Sequence, residues 1–185
     1  MTINNELYFK IKQNYILYIE PVISDDIEKE LKENTPEIIK VIRNNYQKEQ
    51  LLMQTIKSSE DNKEIAKYLE MQSKKIEQLI FMHIKENEKK GTRVEGLEFG
   101  GSHLTFNTDY KIKENQLFNA IILIENHLIA AYCIIKIIQV VSNKKQFQNF
   151  SKIECINAED REKLIRSSLK QQVKVMKQNK IKEPE

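Results

Sequence analysis

The sequence contains few residues that cross-link a chain or interrupt its helices and strands: it has two cysteines, three prolines and four glycines among 185 residues. It also has no tryptophan. Two cysteines cannot supply the disulfide framework of a small secreted domain. Cys133 and Cys155 both fall inside strand-like runs, so we interpret them as reduced thiols. No N-terminal segment shows the basic, apolar and small-residue order of a signal peptide. We therefore expect a cytoplasmic protein.

Long apolar runs are also missing. The nearest one, from Leu128 to Val141, is interrupted by Lys136 and Gln139. It falls short of the roughly 18–20 apolar residues that cross a bilayer as a helix. The sequence therefore predicts no membrane span.

Catalytic and metal-binding motifs are absent as well. His83, His103 and His127 are scattered without HxxxH or HExxH spacing, so no metal site is predicted. No GxSxG, Walker or GxGxxG pattern occurs. Cys133 lies in the middle of an apolar run, where a nucleophilic thiolate is disfavoured. We expect no catalytic residue and no cofactor, and we predict that the protein is not an enzyme.

The net charge of +3 is too small to indicate a partner, but its distribution is uneven. Residues 161–185 contain eight basic and three acidic residues, a net charge of +5, so the rest of the chain carries about −2. A basic helix of this kind can meet nucleic acid, acidic lipid or an acidic protein, although it is also typical of a solvated helix face. Nucleic-acid binding has less support, because interleaved aromatic residues and groove-reading motifs are absent.

Hydrophobic periodicity and turn residues predict the order of the secondary-structure elements. A first strand ends at Pro21, Ser24 is the expected N-cap of a short helix, and Pro36 is expected at the first position of the next helix. Asn157 is the expected N-cap of the last helix. The predicted elements are a strand over 7–22, helices over 36–58 and 62–90, strands over 93–99, 103–108, 116–125, 128–140 and 146–156, and a helix over 158–180. A turn is predicted over 142–145, between the last two strands.

The predicted strand 128–140 is apolar on both faces. Ala130, Tyr132 and Ile134 alternate with a second set of apolar residues that point the other way. A sheet with one solvated face would not show this pattern. We expect one face to fill a barrel and the other to be covered by a helix or a second subunit.

The third predicted helix carries a short heptad pattern that we call the α3 seam. Heptad spacing with polar residues in the seam is typical of helices that pack against partner helices. The pattern spans under three heptads, so it leaves open whether the partner lies in the same chain or in a second copy, and whether the assembly is a dimer or a tetramer. The seam consists of Ile65, Leu69, Gln72, Ile76, Leu79 and His83.

Three of the four glycines lie within residues 96–101, just before a strand. One interpretation is a bend at a corner of the barrel, which needs one or two glycines. The other is a loop held close to a phosphate-bearing or planar ligand. Composition does not decide between them.

The run from Glu98 to Ile124 resembles the core of PilZ domains; it reads EFGGSHLTFNTDYKIKENQLFNAIILI. In that family a DxSxxG motif leads into a strand that ends Leu-x-Phe, as residues 104–106 do here. The segment NAEDREKLIRSSLKQQ (157–172) looks like the closing helix of the family. The resemblance covers residues 93–180 and the strand over 7–20.

The resemblance also implies where a cyclic di-GMP ligand would bind. Glu98 falls where the family has Asp or Asn, Gly100 where it has Ser, and His103 where it has the last Gly. The arginine pair RxxxR of the family occurs nowhere in the chain; Lys10 falls at one of its positions, and Arg93 is the nearest arginine. Two guanidinium groups grip phosphates in a bidentate manner, which one lysine cannot do.

Taken together, we predict an α+β fold: an antiparallel PilZ-like β-barrel of about six strands, with a long helical insertion after the first strand and a C-terminal helix. One domain is expected over 1–180, with the barrel from 1–22 and 91–157, the insertion over 23–90, the last helix over 158–180 and a tail over 181–185. The segment from Tyr68 to Leu79 resembles the PilZ subset whose insertion helices form tetramers and whose ligand motifs are degenerate.

The resemblance implies a non-enzymatic regulatory or adaptor protein of bacterial cyclic di-GMP signalling. We expect a homo-oligomer formed through the insertion helices, an unidentified protein partner, and weak or no binding of cyclic di-GMP. One alternative is a genuine cyclic di-GMP receptor with an altered loop. A further alternative is a lysine-rich nucleic-acid-binding protein.

Overall fold

The computed structural model describes residues 11–143 and 146–181. Within this part of the chain, strands and helices follow the predicted order. Single 3-10 turns lie at Glu60–Asn62 and Glu125–His127. The main elements are β1 (Ile11–Pro21), α1 (Ile27–Asn34), α2 (Glu37–Lys57), α3 (Lys63–Asn87), β2 (Thr92–Phe99), β3 (His103–Thr108), β4 (Leu117–Ile124), β5 (Ile129–Asn143), β6 (Gln146–Ile156) and α4 (Ala158–Ile181).

The strands form one closed antiparallel barrel in the order β1-β2-β3-β6-β5-β4. β1 pairs with β2 on one side and with β4 on the other, and so closes the barrel. This arrangement confirms the predicted barrel and the non-local pairing of the first strand. The helices after β1 and after β6 confirm the predicted α+β class. Residues 7–10 of the predicted first strand lie outside the described residues.

The core fills the inside of the barrel, and β5 shows why its sequence is apolar on both faces. Cys133, Ile135 and their inward-facing neighbours join the barrel core. On the opposite face Tyr132 and Ile134 are also buried, and α4 contacts β5. The prediction of one face inside the barrel and one covered face is therefore confirmed.

The hairpin of β5 and β6 is longer than predicted. The ladder between the two strands continues to the pair Asn143–Gln146, whereas the sequence predicts that the strand ends at residue 140 and a turn begins at Ser142. The turn prediction was wrong for Ser142 and Asn143, because continued cross-strand pairing extends the strand. The other two residues of the predicted turn, 144–145, lie outside the described residues.

Two helix starts differ from the predictions and one agrees. The side chain of Asp26, not that of Ser24, caps α1, because its Oδ1 accepts the backbone N–H of Lys29 at 3.0 Å. Pro36 is the N-cap of α2 and not its first helical residue, a difference of one position. The predicted cap of α4 is confirmed, since Oδ1 of Asn157 accepts the N–H of Glu159 at 3.0 Å.

A buried carboxylate joins α4 to the barrel. β6 ends at Ile156, which pairs with Cys133, so the edge of β5 before Cys133 lacks a partner in the β5–β6 ladder. The backbone N–H of Tyr132 on this edge donates to Oδ2 of Asp160 at 3.4 Å. Asp160, the third residue of α4, is fully buried. The first turn of α4 therefore takes the place of the missing strand partner.

The chain divides into two compact units. One contains the barrel with α1 and α4; there, Nδ2 of Asn119 on β4 donates to Oε1 of Glu30 on α1 at 2.7 Å. The other consists of residues 34–89, in which α2 and α3 contact each other and an ion pair joins Lys57 to Glu70. That residues 1–180 fold as a single domain stays a prediction.

Candidate functional site

The loop between β2 and β3, residues 100–102, corresponds to the predicted ligand-binding motif. The N–H of Gly100 donates to the carbonyl of His103 at 3.0 Å, and the carbonyl of Ser102 accepts the N–H of Ile153 at 2.8 Å. Ser102 Oγ lies 2.7 Å from Nδ1 of His103. The backbone of the loop is therefore held by the barrel itself.

Gly96 provides room for an aromatic ring. A Cβ at Gly96 would lie 2.1 Å from Cζ of Tyr15, directly across the β1–β2 ladder. The buried ring of Tyr15 packs edge-on against Phe99, with centroids 5.8 Å apart, and its hydroxyl donates to the carbonyls of Thr105 and Glu98 at 3.2 and 3.3 Å. Burial raises the pKa of Tyr15 well above its ordinary value, so the phenol stays neutral and donates.

The strand pairing near this ring is irregular. The register of β2 against β3 shifts between Gly96 and Glu98, and that of β1 against β2 shifts between Lys12 and Tyr15. Register shifts of this kind disrupt the ladder locally and leave backbone groups without strand partners. Glu98 and Thr105 remain register partners in the β2–β3 ladder, and the single hydroxyl hydrogen of Tyr15 is shared between their carbonyls.

Gly101 provides room for a side chain of α4. A Cβ on Gly101 would lie 2.4 Å from Cγ1 of Ile165. Positive φ values among the described glycines occur only at Gly91, which precedes β2. Gly96 and Gly101 are therefore needed for close approach and not for left-handed backbone. The neighbours that approach them are side chains of the chain itself.

The structure brings together three of the candidate ligand residues and separates a fourth. Glu98, Gly100 and His103 lie at the β2–β3 loop. Arg93 lies five residues before Glu98 on β2, about 16 Å away at the rise of an extended strand. Lys10 lies outside the described residues. Within the described part of the chain, no second arginine joins Arg93 on β2.

Arg93 lines a separate open cleft of about 520 Å³ on the barrel. Glu95 lines it from the same strand, Asn14 from the neighbouring strand β1, and Glu125 and Asn126 from the turn after β4. Nδ2 of Asn14 donates to Oε1 of Glu95 at 3.1 Å. Two carboxylates beside one guanidinium make this cleft poorly suited to a ligand with two phosphates.

Cys133 lacks the environment of a reactive thiol. Burial raises the pKa of Cys133, and the nearby carboxylate of Asp160 raises it further. A protonated, fully buried thiol is a poor nucleophile. Among residues 11–143 and 146–181, no group of three or more His, Cys, Asp or Glu side chains could hold a metal ion. No helix in the same ranges is long and apolar enough to cross a membrane.

The α3 seam is exposed in the single chain. Ile65, Ile76 and Leu79 are 54%, 56% and 67% exposed, and Leu69 is also exposed. The buried residues of α3 are a different set that includes Ala66, Phe81 and Ile84. The apolar residues of the seam therefore have no partner within the described chain that covers them.

Sequence reasoning missed Tyr15 and Ile165. Tyr15 is one of several aromatic residues in an apolar strand, and only the register shows that it faces Gly96. Ile165 is an apolar residue of the predicted last helix, but its position over Gly101 depends on how α4 packs. A glycine next to a strand signals close approach without indicating which group approaches.

Comparison with solved structures shows the fold. No family model matches the chain, and no curated protein matches its sequence. A pathogenic protein from Xanthomonas campestris, a tetrameric PilZ domain self-assembled through a helical bundle, superimposes with a TM-score of 0.57 at 6% identity, over 92% of this chain and 91% of that one. The inhibitor of motility from Bacillus subtilis gives 0.52 at 8% identity, over 94% of this chain and 54% of that one. The chain thus spans about half the length of the Bacillus protein.

Proposed function

The chain carries a PilZ-like domain, and on that premise we propose that it is a non-enzymatic regulatory or adaptor protein of bacterial cyclic di-GMP signalling. In this proposal it works in the cytoplasm through self-association of the insertion helices and through contacts with another protein. Its own binding of cyclic di-GMP is weak or absent.

The exposed α3 seam carries the proposal. Burying one Ile or Leu side chain contributes about 1.5–3 kcal/mol, so an exposed row of them favours association. Gln72 and His83 add polar groups to the seam, which can fix register and oligomer number. The similar Xanthomonas protein is a tetramer self-assembled through a helical bundle, which supports a seam formed between copies.

The loop geometry supports the part of the proposal that cyclic di-GMP binds weakly or not at all. Ile165 lies over Gly101, and Glu98 brings a negative charge to the loop. Arg93 lines a cleft that is also lined by Glu95 and Glu125. A ligand with two phosphates needs cations that converge on it. The second candidate function, a receptor with an altered loop, rests on Arg93 and on Lys10, which lies outside the described residues.

The first prediction concerns self-association. The unmodified protein is expected to have a mass in solution that is a multiple of 21.9 kDa, and Ile76→Asp with Leu79→Asp is expected to reduce it to that of one chain. Two buried carboxylates in the seam would lack partners, which opposes association. Light scattering coupled to gel filtration measures the mass.

Met71→Asp with Met82→Asp is the matched control, because both methionines are exposed on α3 outside the seam. The control is expected to keep the mass of the unmodified protein. A seam variant that keeps the full mass would contradict the proposed assembly.

The second prediction concerns the ligand. Calorimetric titration of the purified protein with cyclic di-GMP is expected to give no binding heat. Low-micromolar binding that is lost in Lys10→Ala or Arg93→Ala would contradict the proposal and would support a cyclic di-GMP receptor with an altered loop.

A further inference from the structure

The second half of α4 presents an apolar stripe that the barrel does not cover. The helix buries Leu164, Ser167 and Ser168, whereas none of its described side chains after Ser168 is buried. The stripe that we call the α4 stripe has spacings of four and three residues, so its members share one helix face. It consists of Leu169, Val173 and Met176, all exposed, the last two at 52% and 63%.

A helix segment of this length needs a partner. More than three turns follow Ser168, and isolated helices shorter than about 12–15 residues are marginal in water. Most helical stability in proteins comes from packing of an amphipathic face. The α4 stripe is the apolar face available for such packing on this half of the helix.

Basic residues flank the α4 stripe on one side. Arg166, Lys170 and Lys174 follow one another at four-residue spacing and are exposed. Their field reaches the turn after β4: burial lowers the pKa of His127, and the charges of Lys170 and Lys174 lower it further. A positive flank beside an apolar stripe selects an anionic partner with an apolar interior.

Other partners fit these observations less well. Pairing of α4 with α4 of a second copy would bring two basic flanks together, and like charges at short range repel. Nucleic acid would use the lysines but leave the aliphatic stripe exposed to water. A protein groove is better matched by Arg and aromatic anchors, whereas the stripe is aliphatic and the flank after Arg166 consists of lysines.

We propose that the α4 stripe and its basic flank dock on the surface of a lipid bilayer with anionic headgroups. Leu169, Val173 and Met176 enter the boundary between headgroups and acyl chains, and Lys170 and Lys174 lie at the level of the phosphates. The proposal goes beyond self-association through the α3 seam and does not depend on it, because the two surfaces lie on different helices.

The test is co-sedimentation of the full chain with vesicles. The protein is expected to sediment with mixed phosphatidylcholine–phosphatidylglycerol vesicles and to stay in solution with phosphatidylcholine alone. Lys170→Glu with Lys174→Glu is expected to lower the partition coefficient onto the vesicles by at least about thirtyfold, since the loss of each lysine alone weakens binding about fivefold. Leu169→Ser with Val173→Ser is expected to weaken it as well.

Lys111→Glu with Lys113→Glu is the matched control, with the same change in net charge on an exposed loop away from α4, and it is expected to bind as the unmodified protein does. Circular dichroism checks that each variant folds; if the serine variant does not, the charge variants decide. Equal sedimentation with both kinds of vesicle, or an unaffected Lys170 and Lys174 variant, would overturn the proposal. So would retention of duplex DNA that depends on the lysines while vesicles are not bound.

Discussion

Replacing Gly96 by valine is expected to lower the free energy of unfolding by about 2–5 kcal/mol. A Cβ at this position would lie 2.1 Å from the ring of Tyr15, so the ring must move. Movement of the ring separates the hydroxyl from the carbonyls of Thr105 and Glu98 and disturbs its contact with Phe99. Urea unfolding followed by circular dichroism measures the loss.

The same substitution in a Tyr15→Leu background isolates the cause. Tyr15→Leu alone is expected to destabilise the protein, because it removes the buried hydrogen bond of the hydroxyl and the edge-on contact with Phe99. Gly96→Val should then cost less than it does when the tyrosine ring is present, a coupling of about 0.5–3 kcal/mol. An equal loss of unfolding free energy in both backgrounds would show that Gly96 is needed for a reason other than room for the Tyr15 ring.

Replacing Asp160 by alanine is the second large effect and is expected to cost about 1–3 kcal/mol. The substitution removes the acceptor of the Tyr132 N–H from a fully buried place. It also removes a negative charge from the first turn of α4, where the helix dipole favours one. Thermal and urea unfolding of the purified variant would measure the difference.

Asp160→Asn keeps an oxygen acceptor in place and is expected to retain more stability than Asp160→Ala. Glu162→Ala is the exposed control on the same turn; it removes only the surface ion pair with Arg166 and should change stability by less than about 0.5 kcal/mol. If Glu162→Ala and Asp160→Ala were equally destabilising, the buried carboxylate would not join α4 to the barrel as described.

Much of the fold could be predicted because hydrophobic periodicity and turn residues determine secondary structure locally. Strand 128–140 shows this best: an apolar pattern on both faces requires two coverings, and the structure provides the barrel core and α4. The exact cap of α1 could not be predicted, because Ser24 and Asp26 are both good caps and only the path of the chain selects one.

The candidate site was less predictable, because it depends on register and on packing between distant elements. The Gly-rich segment suggested a ligand or a bend, and the groups that approach Gly96 and Gly101 come from residues 15 and 165. Arg93 is near Glu98 in sequence, yet an extended strand separates them. The α3 seam was visible in sequence, since heptad spacing is local, but its exposure required the structure.

The closure of the barrel by β1 has a consequence during synthesis on the ribosome. β1 is made before the helical insertion, and its partners β2 and β4 follow only after it. At about 5–20 residues per second, the roughly 100 residues between Pro21 and the end of β4 take about 5–20 s. Until β2 has been made, Leu17 and Ile19 belong to an apolar strand with both edges unpaired, and one edge stays unpaired until β4 follows, which is a hazard for aggregation. In a nascent chain of this topology the first strand therefore stays incompletely paired until β4 has been synthesised.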